Sequence, residues 1–367
     1  MELIDLVADH IRSISPYVPG KPITQVAREV GLDPTSIVKL ASNENPLGMS
    51  VLARQAVQRA IEGLERYPDQ YELVVKLSAY LGVASSQIVL GNGSNDVLDL
   101  AARVFLGPGT NAVYAQHAFA VYSIATLSAG GTCEEVPARD FGHDLQAMRA
   151  AISVDTRLIW LANPNNPTGT FISYPQIRDF IASVPADVAV VLDEAYNEYL
   201  APEDRADTAS WVAEFPNLIV TRSFSKVYGL AGLRIGYAVA SEAVADLFNR
   251  VRQPFNVNSL ALAAATAALD DHAFVAETYQ LNRQGMKQLI EGFTALGIGY
   301  IPSQGNFVSF AVPPEFTGAE VNARLLKQGV IVRPIGGYGL PNHLRVTVGL
   351  AQENERFLQA LAGALKV

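Results

Sequence analysis

The middle of the chain alternates short apolar runs with stretches of helical periodicity. The apolar runs are rich in Val, Ile and Leu and lack polar alternation, which is typical of strands buried on both faces. They lie at residues 87–91, 111–115, 157–163, 188–194, 217–223 and 234–240. Amphipathic segments such as 173–184 separate them, and Pro175 stands early in that segment, where helices tolerate proline. The alternation predicts an α/β fold with a mainly parallel sheet.

The pattern changes after about residue 250. An Ala- and Leu-rich stretch with helical character spans residues 260–296. Strand-like runs and a terminal helix follow, and the runs lie at 306–312, 329–334 and 343–349. This part of the chain predicts a smaller α+β domain over residues 251–367, beside a large domain over residues 41–250. Residues 1–40 predict an arm that packs with the small domain, because a short helical pattern is broken there by PYVPGKP.

Composition excludes several classes of protein. The formal charge of −9 and the absence of a basic run argue against a nucleic-acid binder. Cys133 is the only cysteine, which rules out an intramolecular disulfide, and no Cys/His spacing indicates a metal site. The first residues are acidic where a secretory signal needs a basic stretch, and no apolar run approaches the roughly 20 residues that span a bilayer. We therefore expect a cytoplasmic protein without a membrane segment.

Lys226 differs from the other lysines in its setting. It follows the apolar run 217–223 and is surrounded by Ser, Gly and apolar residues, with two arginines nearby. Ligands of open α/β sheets bind beyond the carboxyl ends of the strands, which is where this lysine is expected. Burial and neighbouring positive charge lower the pKa of a lysine and favour the nucleophilic amine. The alternative is a structural lysine held in an ion pair.

Asp193 stands where another apolar run ends. A buried carboxylate needs a partner, and a protonated pyridine nitrogen of a cofactor would be one. A helix cap or a metal ligand is the alternative, although no companion metal ligands have suitable spacing. Tyr196 lies three residues later and is placed to reach the same ligand from the following turn.

The segment VLGNGSNDVLDLAARVF predicts a strand, a Gly-rich turn and a helix. Free backbone N–H groups and the helix dipole at Ser94 and Asn95 would form an anion site suited to a phosphate monoester. Ser223, Ser225 and Arg234 would supply further donors. The turn is neither GxGxxG nor a P-loop, so nucleotide-binding folds fit poorly. Considered alone, the segment is equally consistent with an ordinary turn.

Two further residues complete a possible cofactor site. Asn166, in ANPNNPTGT, is placed to aim its amide at a ring oxygen, although Pro and Gly there also indicate a simple turn. Phe119 is able to cover an aromatic ring, although a lone Phe is usually part of the core. Together the candidates match an aldehyde, a pyridine nitrogen, a phenolic oxygen and a phosphate, which are the groups of pyridoxal 5′-phosphate (PLP).

The motifs NPNNPTG, DEAY and SFSK followed by Arg234 resemble those of fold-type I PLP aminotransferases, in order and spacing, over nearly the whole chain. SNENPLG, RYPD, GNGSND, AFAVY and LRVTVG resemble the histidinol-phosphate aminotransferase family more specifically. The resemblance implies a fold-type I architecture, PLP as the cofactor, and a homodimer with active sites at the subunit interface.

The resemblance also implies roles for individual residues. Lys226 would form the Schiff base with PLP and carry the proton, and Asp193 would keep the pyridine nitrogen protonated. Asn166 and Tyr196 would contact the ring oxygen, and Phe119 would stack on the ring where many relatives have tyrosine. The phosphate would be held by Gly93, Ser94, Asn95, Ser223, Ser225 and Arg234. Tyr67 of RYPD would reach the phosphate of the neighbouring subunit.

For the substrate, the resemblance implies that Arg345 grips the α-carboxylate with its planar guanidinium. A buried structural ion pair is the alternative for Arg345. Tyr17 and Arg333 resemble positions near the phosphate of the substrate, and Asn43 of SNENPLG is placed at the same site. Phe255 stands where some relatives have tyrosine, which removes one possible phosphate contact.

The implied reaction exchanges an amino group between glutamate and 2-oxoglutarate on one side and histidinol phosphate and imidazole-acetol phosphate on the other, a step of histidine biosynthesis. An aromatic amino-acid aminotransferase is the nearest alternative. A PLP-dependent decarboxylase of a phosphorylated amino acid is another. A non-catalytic PLP-binding regulator normally carries an attached DNA-binding domain, for which the short acidic N-terminus leaves no room.

Overall fold

The computed structural model describes residues 2–366. The helices are α1 (Asp9–Arg12), α2 (Ile23–Val30), α3 (Val51–Ala60), α4 (Tyr71–Leu81), α5 (Ser94–Phe105), α6 (Val121–Ser128), α7 (Leu145–Ala150), α8 (Tyr174–Ser183), α9 (Glu242–Val251), α10 (Ser259–Ala268), α11 (His272–Ala295), α12 (Gly318–Lys327) and α13 (Ala351–Ala364). The strands are β1 (Val38–Lys39), β2 (Ile88–Gly91), β3 (Asn111–Ala115), β4 (Thr132–Val136), β5 (Thr156–Ala162), β6 (Ala189–Asp193), β7 (Leu218–Ser223), β8 (Gly236–Ala240), β9 (Tyr300–Ile301), β10 (Phe307–Ala311), β11 (Val330–Ile331), β12 (Arg333–Pro334) and β13 (His343–Thr347).

A seven-stranded sheet in the order β2-β8-β7-β6-β5-β3-β4 forms the centre of the molecule. Its neighbours pair in parallel except β8, which runs antiparallel to both β2 and β7. The residues of β2 and β6 are buried throughout, because helices cover both faces of the sheet. The predicted α/β fold with a mainly parallel sheet is confirmed.

The central strands end side by side. Ala162 of β5 pairs with Asp193 of β6, and Asp193 pairs with Thr221 of β7. The sheet therefore places the loops after β5, β6 and β7 at one edge, where open α/β sheets bind their ligands.

A second sheet of four strands has the order β12-β13-β10-β9 and is antiparallel. It packs with α11, α12 and α13 around a separate apolar core that includes Phe293, Phe310 and Phe357. β1 pairs in parallel with β11, with Val38 opposite Val330, so the early chain is attached to the C-terminal part of the fold. The domain boundaries at residues 40 and 250 remain predictions.

Three elements differ from the sequence pattern. β4 was not expected, because TCEEV is polar and three of its side chains are exposed, as suits an edge strand. The helical stretch 260–296 is two helices, and the side chain of Asp271 caps the second by accepting from the N–H of Phe274 at 3.2 Å. In the arm, the predicted helical pattern gives a 3-10 turn at Leu3–Leu6 and the single turn of α1 rather than one continuous helix.

Candidate active site

A cavity of about 290 Å³ opens at the carboxyl ends of β5, β6 and β7. It brings together residues from the arm, from both sheets and from the start of α5. The predicted site residues that line it are Tyr17, Asn43, Ser94, Asn95, Phe119, Asn166, Asp193, Tyr196, Ser223, Ser225, Lys226, Arg234, Arg333 and Arg345. Gly93 lies directly beside it, and Tyr67 does not line it.

Lys226 lies in the segment that joins β7 to β8. Its Nζ donates to the carbonyl oxygen of Ser42 at 3.3 Å and lies 5.6 Å from the centre of the Tyr196 ring. Among residues 2–366 it takes part in no ion pair, so the alternative of a structural ion-paired lysine does not apply. Burial, and then the positive charge of Arg345, lower the pKa of Lys226 to about 8.

Asp193 ends β6 with its carboxylate at the cavity. Oδ2 accepts from the hydroxyl of Tyr122 at 2.8 Å, and Oδ1 accepts from the hydroxyl of Thr221 and the N–H of Ala195, each at 3.2 Å. Burial raises the pKa of Asp193, and these hydrogen bonds oppose the rise. In the described part of the chain no group of His, Cys, Asp and Glu is arranged to hold a metal ion, so the metal-ligand alternative has no support.

An anion cradle lies at the N-terminus of α5. Ser94 and Asn95 occupy its first turn, where backbone N–H groups have no acceptor within the helix. Gly93 has φ of 83°, and a Cβ there would stand 2.2 Å from Nη2 of Arg234, so glycine is required for this approach. Arg234 Nη1 donates to Oγ of Ser225 at 3.3 Å. Guanidinium, hydroxyl and helix N-terminus therefore meet at one point.

Arg345 projects from β13 and is almost fully buried. It donates to Oδ1 of Asn166 and, at 3.0 Å, to the carbonyl oxygen of Ala41, and its guanidinium lies 5.1 Å from the Phe307 ring centre. Its Nε has no hydrogen-bond partner. Among residues 2–366 no carboxylate forms an ion pair with Arg345, so the alternative of a structural ion pair does not apply.

Arg333 lies beside Arg345 as its cross-strand partner in β12 and β13, and Tyr17 packs against it. The guanidinium of Arg333 lies 5.2 Å from the centre of the Tyr17 ring, and its buried Nε has no hydrogen-bond partner. Tyr338, which the sequence did not single out, lines the cavity beside them. The arm thus contributes directly to the wall of the cavity.

Asn43 has a left-handed backbone with φ of 55°, a conformation that asparagine adopts more readily than most residues. Its Nδ2 donates to the hydroxyl oxygen of Tyr196 at 2.8 Å, and its N–H donates to Oγ1 of Thr347 at 2.9 Å. Nδ2 of Asn306 donates to the backbone carbonyl oxygen of Asn43 at 3.0 Å. Thr347 lies in the LRVTVG motif but was given no role from the sequence, and Asn306 belongs to no motif that would have marked it.

Tyr67 is 79% exposed and stacks on Phe255, with ring centres 4.5 Å apart. The pair lies in a separate surface cleft with Pro68, Arg252 and Pro254. The prediction that Tyr67 serves the site of a neighbouring subunit stays a prediction.

The family model "Aminotransferase class I and II" matches residues 35–361. The chain belongs to this family. The predicted aminotransferase is thereby confirmed as the class of enzyme. Membership explains why one lysine, one aspartate and several arginines converge at the carboxyl edge of the sheet.

The chain is also similar to individual members of the family. It is 64% identical to histidinol-phosphate aminotransferase 1 of Dechloromonas aromatica over the full length of both chains. It is 61% identical to histidinol-phosphate aminotransferase 1 of Thiobacillus denitrificans, covering 97% of this chain and 92% of that one. These similarities confirm the predicted resemblance to the histidinol-phosphate aminotransferase family.

A solved structure shows the same fold. The crystal structure of histidinol-phosphate aminotransferase from Sinorhizobium meliloti, in complex with pyridoxal 5′-phosphate, superimposes with a TM-score of 0.90 at 26% identity. The match covers 98% of this chain and 97% of that one. The prediction of a fold-type I architecture is confirmed.

Proposed function

We propose that this aminotransferase uses PLP to exchange an amino group between glutamate and 2-oxoglutarate on one side and histidinol phosphate and imidazole-acetol phosphate on the other. The proposal places the chain in histidine biosynthesis. It is supported by the names of the close relatives and by the charge arrangement of the cavity.

The cavity residues fit PLP group by group. The N–H groups of Ser94 and Asn95, together with Arg234, form a cradle of donors suited to a phosphate. Asp193 offers a buried carboxylate to a pyridinium nitrogen. Lys226 offers an amine whose pKa is lowered to about 8, so a far larger fraction is neutral near physiological pH than for an ordinary lysine. When bound, PLP would supply a carbonyl carbon for the amino group and an electron-withdrawing ring.

The observation that carries the substrate proposal is a set of three arginines at the cavity without carboxylate partners. Arg234, Arg333 and Arg345 all line it, and none takes part in an ion pair in the part of the chain that the structure describes. A buried cation without a counter-ion is costly, which applies most strongly to the buried Arg345, and the half-buried Arg234 and Arg333 are likewise free to pair with an anionic ligand. Arg234 matches the cofactor phosphate, and Arg333 and Arg345 match the anionic groups of the substrate.

The negative charge of the substrate separates the candidates. Histidinol phosphate carries no carboxylate, so its dianionic phosphate ester would be shared by the cross-strand neighbours Arg333 and Arg345, whereas glutamate would present one carboxylate to each. An aromatic amino acid would leave Arg333 and its unpartnered Nε without a counter-ion. The aromatic aminotransferase therefore ranks second, and no contact in the cavity favours a decarboxylase.

Three residues of the site would have separate roles in the reaction. Arg345 would orient the substrate carboxylate, with Asn166 fixing one edge of its guanidinium. Nζ of Lys226 would take the proton from the substrate α-carbon and deliver it to the cofactor carbon that receives the amino group. Asp193, held by Tyr122 and Thr221, would keep the pyridine nitrogen protonated.

A homodimer is part of the proposal. Near Tyr67 the surface exposes Ile61, Leu64 and Tyr71, an apolar grouping that suits contact with a second copy of the chain. No helix within residues 2–366 has the length and apolarity needed to cross a membrane. The cytoplasmic location stays a prediction.

Half-reaction kinetics test the substrate. The PLP-loaded protein would be mixed separately with glutamate, histidinol phosphate and phenylalanine, and the loss of its visible absorbance followed in a stopped-flow instrument. We expect histidinol phosphate and glutamate to react with a much higher kcat/KM than phenylalanine. A clear preference for phenylalanine would reassign the protein as an aromatic amino-acid aminotransferase.

A further inference from the structure

Tyr122 lies buried beneath the cavity and contacts Asp193, the carboxylate at the end of β6. It is the second residue of α6, and its hydroxyl donates to Oδ2 of Asp193 at 2.8 Å. Its ring stacks on the indole of Trp160 from β5, with centres 5.1 Å apart and planes 3° from parallel. The indole N–H of Trp160 donates to Oγ1 of Thr126 one turn further along α6 at 3.0 Å. Ring and hydroxyl are therefore held in one orientation.

The carboxylate of Asp193 accepts three hydrogen bonds. Thr221 of β7 and the N–H of Ala195 donate to Oδ1, while Tyr122 donates to Oδ2. The neighbouring Glu194 pairs with Arg222, with Nε and Oε2 3.0 Å apart, and its charge adds to the rise in the pKa of Asp193. The hydroxyl of Tyr196 is the remaining ionisable group nearby, and its burial raises its pKa, so it stays protonated. Burial raises the pKa of Asp193, and the hydrogen bonds from Tyr122, Thr221 and Ala195 are the contacts that favour its carboxylate form.

We propose that Tyr122 is a positioning residue whose hydroxyl keeps Asp193 ionised and directed at the cavity, so that a bound pyridine ring retains its proton on nitrogen. The proposal rests on the proposed function, because it needs PLP as the cofactor. A carboxylate that accepts a hydrogen bond binds a proton less tightly. The proton shared between Asp193 and the pyridine nitrogen then remains on the nitrogen, where it makes the ring a stronger electron acceptor.

Tyr122→Phe removes the hydroxyl and keeps the ring that stacks on Trp160. The decisive measurement is the ¹⁵N NMR resonance of PLP labelled at the pyridine nitrogen and bound to the protein, since it distinguishes protonated from neutral nitrogen. We expect a protonated resonance in the wild type and a shift towards the neutral position in the variant. The affinity of the apoprotein for PLP should fall, and the half-reaction rate should drop roughly tenfold or more, as for a lost hydrogen bond to a charged group, with a smaller change in KM.

Tyr174→Phe is the matched control. Tyr174 is also buried, and its hydroxyl donates at 2.6 Å to a neighbouring carboxylate, Glu194, which pairs with Arg222 rather than with a ligand in the cavity. This control should lower the melting temperature and leave the ¹⁵N resonance in place. An unchanged resonance in Tyr122→Phe, or an equal shift in Tyr174→Phe, would overturn the proposal.

Thr221→Val is a second variant in case Tyr122→Phe does not fold. It removes the other hydroxyl donor to Asp193, so we expect a smaller shift of the nitrogen resonance in the same direction, and no shift would contradict the proposal. Failure of the proposed function has a different signature. In that case the wild type would not bind PLP with a protonated nitrogen, or would bind it without reacting with histidinol phosphate.

Discussion

The side-chain amide of Asn43 donates to the hydroxyl oxygen of Tyr196 at 2.8 Å. Thr347 fixes the orientation of the Asn43 amide and hence the direction of this bond, because Oγ1 of Thr347 lies 3.3 Å from Oδ1 of Asn43 and donates to it. With its oxygen already accepting from Asn43, Tyr196 keeps its own proton free to donate into the cavity. A tyrosine that donates is what a negatively charged ring oxygen of the cofactor requires.

Asn43→Asp should reverse this bond. Aspartate has nearly the same shape and tolerates the left-handed backbone of residue 43, but it offers only acceptor oxygens. Tyr196 would then donate to residue 43 and lose its contact with the ring oxygen. We expect the visible absorbance of the bound cofactor to change its pH dependence as it does in Tyr196→Phe. A pH titration identical to that of the wild type would argue against the assigned direction.

The site residues that could be predicted from the sequence lie in recognisable motifs that directly follow apolar runs. Lys226, Asp193 and the turn at Gly93 each follow an apolar run, and parallel strands deliver such positions to one edge. Asn43, Thr347 and Asn306 meet only because β13 and the segment after β1 fold together, over separations of about 260 to 300 residues. No local pattern encodes that contact.

Tertiary packing also explains why β4 and the contact between Tyr122 and Asp193 could not be predicted from the sequence. β4 is polar and lies at the sheet edge, so its residues do not show the continuous apolar run of β3 or β5. Tyr122 belongs to the AFAVY motif, but its contact with Asp193 depends on the packing of α6 against the sheet. Sequence patterns report burial well, whereas partners across elements are decided by tertiary packing.

Lys226 should titrate near pH 8 in the apoprotein. Burial and the charge of Arg345 lower its pKa, so its reactivity should rise with pH and level off above about 8. Trace acylation of the apoprotein across pH, read out by mass spectrometry of the Lys226 peptide, measures this directly. Arg345→Met removes the like charge and should move the midpoint upwards. Arg178→Met, which removes an arginine of a surface ion pair with Glu214, should leave the midpoint in place.

Arg345→Lys should weaken substrate binding more than turnover. Lysine keeps the charge but loses the planar fork that contacts Asn166 and leaves donors for a carboxylate. Loss of one hydrogen bond to a charged group corresponds to about 1.5–3 kcal/mol, or roughly a ten- to hundredfold rise in KM for glutamate. Steady-state kinetics with Arg333→Lys as the comparison would separate the two arginines. If glutamate kinetics were unchanged in Arg345→Lys, the carboxylate role would belong elsewhere.

Tyr67 offers a test of whether two chains share one site. It is exposed and lies outside the cavity of its own chain, and the family resemblance assigns it to the phosphate of the neighbouring subunit. Tyr67→Ala and Lys226→Ala should each be weakly active or inactive alone. A mixed dimer would contain one site with the intact Lys226 of one chain and the intact Tyr67 of the other. Unfolding and refolding the two variants together should therefore restore activity towards a quarter of the wild-type level, because about half of the dimers would be mixed and each would hold one complete site. If Tyr67 acts within its own chain, no mixed site is complete and the mixture stays as inactive as its parents.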